Sequence, residues 1–230
     1  MVRSKPLGKR SPTSGRFAQS PFVTPPKPKS RLRCIPGLSI DECRQWAVAN
    51  ASYEDTPKSL IADNEFRLAR STPTLKIYKH KDDLKNHYIA GVRGTASLED
   101  VLTDVNLIVG RLTKTERYQR DRDALRAFLE EHPKATVRLT GHSLGGAIAR
   151  ELKREFGDRV QAGVTFNSAF DATQLGEGSH GGFQNIYSQN DPLGKLANAS
   201  KGHVRRYYKT DHLLPISAHK LGTFVEDAGN

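Results

Sequence analysis

Thr136-Val137-Arg138-Leu139-Thr140-Gly141-His142-Ser143-Leu144-Gly145-Gly146-Ala147-Ile148-Ala149 decides how this chain is read. A short β-branched run leads in, and after Gly146 small and apolar residues recur at helical spacing. Between the two, Gly141-His142-Ser143-Leu144-Gly145 carries the Gly-x-Ser-x-Gly pattern of a nucleophile elbow, a strand-to-helix turn that pushes a strained serine Oγ out of the sheet. Glycines two places either side of Ser143 leave room for so tight a reversal, and Gly146 permits close packing of the helix. The same turn sets the Leu144 N–H beside the serine, where it can stabilise an oxyanion.

A serine becomes a strong nucleophile only when a histidine takes its proton and an acid orients that histidine. On an elbow, the acid and then the histidine follow the serine in chain order. Residues 183–188 read as a strand running into Asn190-Asp191-Pro192, which sets Asp191 at a strand's C-terminal end. Those three residues also make a good turn in any protein, and Asp171, again after a strand, is the reserve acid. His219, placed just before a short terminal helix, is preferred as the base. His212 is the alternative to it, and His203, which opens a strand, is read as structural. His142 is assigned to packing within the turn and not to proton transfer. A second oxyanion donor is expected in an earlier strand-end loop, and Thr95, at the end of Val92-Arg93-Gly94-Thr95, takes that role. The expected site is thus Ser143, Asp191, His219, Thr95 and Leu144, with no metal and no cofactor.

Working outward, Ser39-Ile40-Asp41-Glu42 has the capping-box spacing that opens a helix through Trp46 and Val48. Residues 58–69, with Leu60, Ile61, Phe66 and Leu68, read as a second helix. Residues 75–79 and 87–92 read as paired strands around a polar turn at 82–86. An amphipathic helix is expected over 115–131, where Tyr118, Leu125, Phe128 and Leu129 recur at helical spacing amid charge, and His132-Pro133 ends it. Strands are expected at 160–166, 183–188 and 204–208. Strands alternating with helices in the second half give an α/β fold with a mostly parallel central sheet covered by helices.

The formal net charge is +11, and the nine Lys and Arg of residues 1–33, unopposed by any acid, account for all but +2 of it. That segment is rich in Ser and Pro and poor in large apolar residues, so it cannot offset its ordering entropy and is read as a disordered basic tail. The folded domain is then 34–230. Cys34 and Cys43 are too few for a disulfide framework, and the sequence leaves open whether they pair or stay reduced. No stretch is long and apolar enough for a membrane span, and no apolar core follows the N-terminal charges as in a signal peptide. Residence inside a cell, or in a particle made there, is the expectation.

Val92-Arg93-Gly94-Thr95, Leu98-Glu99-Asp100-Val101, Gly141-His142-Ser143-Leu144-Gly145-Gly146, Asn190-Asp191-Pro192 and the late His219 together resemble the class 3 lipase family of α/β hydrolases. The resemblance runs from about Tyr88 to Phe224. It implies an α/β-hydrolase-like fold, an oxyanion role for Thr95, a nucleophile at Ser143 and a structural role for Asp104. The implied function is a serine carboxylester hydrolase, cleaving acylglycerol or phospholipid esters through an acyl-enzyme. The chain departs from the family pattern at Val92, where an aromatic residue is common, in the short polar segment 96–100, and in its tail. That tail suits an anionic membrane surface or nucleic acid. A catalytically weak scaffold whose tail binds a polyanion is the alternative function.

Overall fold

The computed structural model describes residues 36–55, 66–81, 86–95, 111–169, 182–197, 204–208 and 215–224. All of them belong to one compact unit, Arg31–Asn230. The tail, residues 58–65, the turn at 82–85, Asp104, Asp171, His203 and His212 lie outside the described residues.

In chain order the elements are α1 (Ile40–Ala51), β1 (Phe66–Ser71), β2 (Leu75–His80), β3 (His87–Val92), α2 (Glu116–Glu131), β4 (Thr136–His142), α3 (Leu144–Phe156), β5 (Val160–Phe166), β6 (Gln184–Ser188), α4 (Pro192–Ala197), β7 (Val204–Tyr208) and α5 (Pro215–His219), followed by a 3₁₀ turn at Leu221–Phe224. The seven strands form one sheet in sequential order. β1, β2 and β3 pair antiparallel, and from β3 to β7 every pairing is parallel. The result is a mostly parallel sheet with an antiparallel edge, as the alternation of strands and helices predicts.

Side chains alternate across the sheet and so divide the core in two. On one face Tyr88, Ala90, Val92, Val137 and Leu139 pack with the apolar stripes of α2 and α3. On the other, Tyr78, Val164, Phe166 and Ile186 meet Trp46 and Val48 of α1 and Leu221 and Phe224 of the C-terminal turn. α1 begins with the expected capping box, Ser39 Oγ accepting from the Glu42 N–H at 3.2 Å and the Glu42 carboxylate from the Ser39 N–H at 2.7 Å. It also stitches an irregularity in the register of β4 with β5. There Gln45 Oε1 accepts from the Val164 N–H at 2.7 Å, and the Thr140 hydroxyl donates to the Val164 carbonyl at 2.7 Å. Cys43 on α1 is disulfide-bonded.

The helix expected over residues 58–69 fails at its C-terminal end, because Phe66–Ser71 is strand β1. Only Phe66 of that strand is buried, and Leu68 is exposed, so this edge strand has neither the period of a helix nor a clean alternation. Its conformation is imposed by pairing with β2 through a tight turn, where Thr72 Oγ1 accepts from the N–H groups of Thr74 and Leu75.

Candidate active site

β4 ends at His142 and α3 begins at Leu144, so Ser143 alone makes the turn, at φ 55° and ψ −129°. A non-glycine residue in that region carries about 1–3 kcal/mol of strain and persists only where its surroundings over-determine it. Here the Ser143 N–H donates to the Phe166 carbonyl at 3.1 Å, and its carbonyl accepts from the N–H groups of Gly146 and Ala169, each at 3.0 Å. Ala169 is fixed in turn by the buried Arg150 guanidinium, which donates to its carbonyl at 3.0 Å. The flanking glycines answer to close approach. A Cβ at Gly145 would stand 2.1 Å from the Val92 carbonyl oxygen, and one at Gly141 2.6 Å from the Gly145 backbone.

The three side chains expected to meet are brought together from 28 and 76 positions apart in the chain. The Ser143 hydroxyl lies 3.0 Å from His219 Nε2, and His219 Nδ1 lies 2.5 Å from Asp191 Oδ2. Asp191 and Ser143 are wholly buried and His219 nearly so. Asp191 combines the two uses that the sequence left open. Its Oδ1 accepts from the Gly194 N–H at 2.9 Å, capping α4 behind Pro192, while its Oδ2 holds the imidazole. That second bond makes Nδ1 the protonated nitrogen and leaves Nε2 as the acceptor for the serine proton.

His219 is held by its backbone as much as by its ring. The His219 carbonyl accepts from His142 Nε2 at 2.7 Å and from Asn167 Nδ2 at 3.0 Å. The preceding Ala218 carbonyl accepts from Asn167 Nδ2 at 2.9 Å and from the Ser188 hydroxyl at 2.5 Å. The Trp46 indole N–H donates to the Leu221 carbonyl at 2.8 Å, pinning the turn that follows. Asn167, at φ 44°, and Ser188 sit at the ends of β5 and β6, the edge of the sheet where the site lies.

His142 does more than fill the elbow. A carbonyl only accepts, so Nε2 carries the proton toward His219, and Nδ1 accepts from the Tyr53 hydroxyl at 2.8 Å. The Tyr53 oxygen in turn accepts from the Gly94 N–H at 3.0 Å. A directed chain therefore runs from the loop after β3, through Tyr53 and His142, to the backbone of His219. Burial, with His219 close by, pushes the His142 pKa down to about 3, and burial raises that of Tyr53 to about 12. Both stay neutral at physiological pH, so the chain orients groups and relays no charge. Tyr53, Asn167 and Ser188 escaped the sequence reading, and no spacing rule links them to Ser143. Their one signal is polarity at strand and helix ends.

Gly94 runs directly against the serine: a Cβ there would stand 2.4 Å from the Tyr53 hydroxyl and 3.1 Å from Ser143 Cβ. Thr95 and Leu144 line one cleft of about 410 Å3 beside Ser143. As the first residue of α3, Leu144 has an N–H with no intrahelical acceptor. A larger cleft of about 580 Å3, which includes His87, Thr136 and Gln161, opens at the other end of the parallel strands and holds none of these residues. Ligands of such sheets bind at the carboxyl ends of the strands, so the smaller cleft is the one that bears on chemistry. Among the described residues no group of His, Cys, Asp and Glu gathers as a metal site, and no helix is long and apolar enough to cross a membrane.

Residues 96–152 match the family model "Lipase (class 3)", a segment that includes the elbow and most of α3. No curated protein matches the chain. Among solved structures, the chain is similar to Lip2 lipase from Yarrowia lipolytica (15% identity, 76% of this chain and 80% of that one, TM-score 0.46). It is also similar to the Rhizomucor miehei lipase propeptide complex (12%, 84% and 84%, 0.49) and to the mono- and diacylglycerol lipase from Aspergillus oryzae (15%, 80% and 86%, 0.39).

Proposed function

We propose that this chain is a serine carboxylester hydrolase that cleaves acyl esters of lipids through an acyl-enzyme intermediate. The observation that carries the reading is the hydrogen-bonded line from Ser143 Oγ through His219 to Asp191, at 3.0 and 2.5 Å, on a strained elbow. The class 3 lipase match over residues 96–152 supports lipid esters as the substrate class.

Ser143 Oγ attacks the ester carbonyl carbon as His219 Nε2 takes its proton. Asp191 holds the ring and stabilises the imidazolium. Negative charge gathers on the former carbonyl oxygen, where the backbone N–H groups of Thr95 and Leu144 donate to it. The C–O bond to the alcohol then breaks, and His219 returns the proton to the departing oxygen. Water, deprotonated by the same imidazole, attacks the acyl carbon; the bond to Ser143 Oγ breaks, His219 returns the proton to that oxygen, and the fatty acid leaves. The wall of neutral hydrogen bonds through Tyr53 and His142 keeps base and oxyanion loop in register throughout.

The test is labelling with a fluorophosphonate and peptide mapping, with para-nitrophenyl butyrate hydrolysis as the rate assay. Label on Ser143 is expected, and Ser143→Ala should abolish both label and turnover. Unchanged turnover in that variant refutes the assignment.

A further inference from the structure

The cleft beside Ser143 is lined by two unlike sets of side chains. Leu112, Leu144 and Ile148 make one, all buried. Arg93, Arg117 and Arg120 contribute the other, and among the described residues that line the cleft none is acidic. The three guanidiniums differ in what they already hold. Arg117 is spent inward: its Nε pairs with the buried Asp121 carboxylate at 2.9 Å and its Nη2 donates to the Arg93 carbonyl. Arg93 lies over the Tyr53 ring, 3.6 Å from the exposed Asp55 carboxylate. Arg120 is exposed and has no ion-pair partner among the described residues. It stands three residues on from Arg117, so the two share one face of α2. Thr115, the residue that caps this helix, lines the cleft as well, and the positive end of the helix dipole adds to the field there.

A neutral acylglycerol would fill the apolar side and leave the exposed Arg120 guanidinium with no anion to meet. An amphiphile with an acyl chain at one end and a phosphate at the other satisfies both, and guanidinium groups match phosphate oxygens in charge and geometry. On the hydrolase reading above, on which this step rests, we infer that the cleft selects acyl esters carrying an anionic phosphodiester head group, with Arg120 as the free contact and Arg93 beside it. The products are a fatty acid and a lysophospholipid, and no co-reactant other than water is needed.

The experiment uses the full chain and monomeric short-chain esters below their micelle concentration, so that attraction of the basic residues 1–33 to an interface cannot contribute. Dihexanoyl phosphatidylglycerol is compared with dihexanoylglycerol by fatty-acid release. The anionic ester is expected to have the higher kcat/KM by about fivefold, the size of one exposed charge contact, expressed mainly in KM. The preference should shrink in ~0.5 M sodium chloride. Arg120→Glu should erase or invert the preference, and Arg120→Gln should reduce it. Equal or lower kcat/KM for the anionic ester, with para-nitrophenyl butyrate still cleaved in a Ser143-dependent way, overturns the inference and leaves the hydrolase reading standing. So does an Arg120→Glu variant that changes both esters alike. If no ester is cleaved at all, the hydrolase reading fails and takes this inference with it.

Discussion

His142 should make the fold sensitive to mild acid. In the unfolded chain its pKa is near 6.5, and in the folded protein burial holds it at about 3. Between those values the unfolded state binds a proton that the folded state refuses, so stability falls as the pH falls. The slope is about 1.4 kcal/mol per pH unit from this one group. The loss begins as the pH drops through about 6.5, reaches about 2 kcal/mol at pH 5 and levels off only below about 3. The ring is 6% exposed, with Tyr53 on one nitrogen and the His219 carbonyl on the other. Protonating Nδ1 would turn the acceptor of the Tyr53 hydroxyl into a donor and leave that hydroxyl proton without a partner in the chain. Urea unfolding of the wild type and of His142→Asn between about pH 7 and pH 5 isolates the effect, since other titrating groups enter both curves. The wild type is expected to lose about 2 kcal/mol more than the variant over that range. Parallel pH profiles would refute the account, because they would mean that His142 takes up its proton in the folded state.

Tyr53→Phe removes one hydroxyl and strands two groups, the Gly94 N–H and His142 Nδ1. A stability loss of about 1–3 kcal/mol is expected by urea unfolding, with kcat down about tenfold and KM little changed as the oxyanion loop loosens. Ser143→Gly relieves the positive φ at the elbow and should raise the melting temperature, by the equivalent of about 1 kcal/mol, while abolishing turnover. Gly145→Ala forces a methyl group to within 2.1 Å of the Val92 carbonyl oxygen, and calorimetry should show a loss of about 3 kcal/mol.

Much of the site could be read in order along the chain because an elbow is a local device. Gly141, Ser143 and Gly145 are needed at fixed spacing by one sharp turn, and the strand before it and helix after it are signalled within a few residues. Asp191 was legible for a related reason: Asn-Asp-Pro ends a strand and caps α4 with the same carboxylate that holds His219. The cap of α1, the stripe of α2 and the parallel strands β4 to β7 follow from patterns no longer than the elements themselves.

What sequence alone determined, then, is the set of turns and periodic stretches whose energetics close within about a dozen residues. Tertiary structure decided the rest. Phe66–Ser71 became strand only because β2 offered it a hydrogen-bonding edge. Tyr53, Asn167 and Ser188 became part of the site because sheet order carries the ends of α1, β5 and β6 to within hydrogen-bond reach of the loop after β3 and of the segment bearing His219. Arg120, with no ion-pair partner among the described residues, came to line the cleft by the way α2 docks on the sheet. A hydrogen bond or an uncompensated charge is a property of a position in space, and no residue's own neighbours in the chain encode which distant groups will surround it.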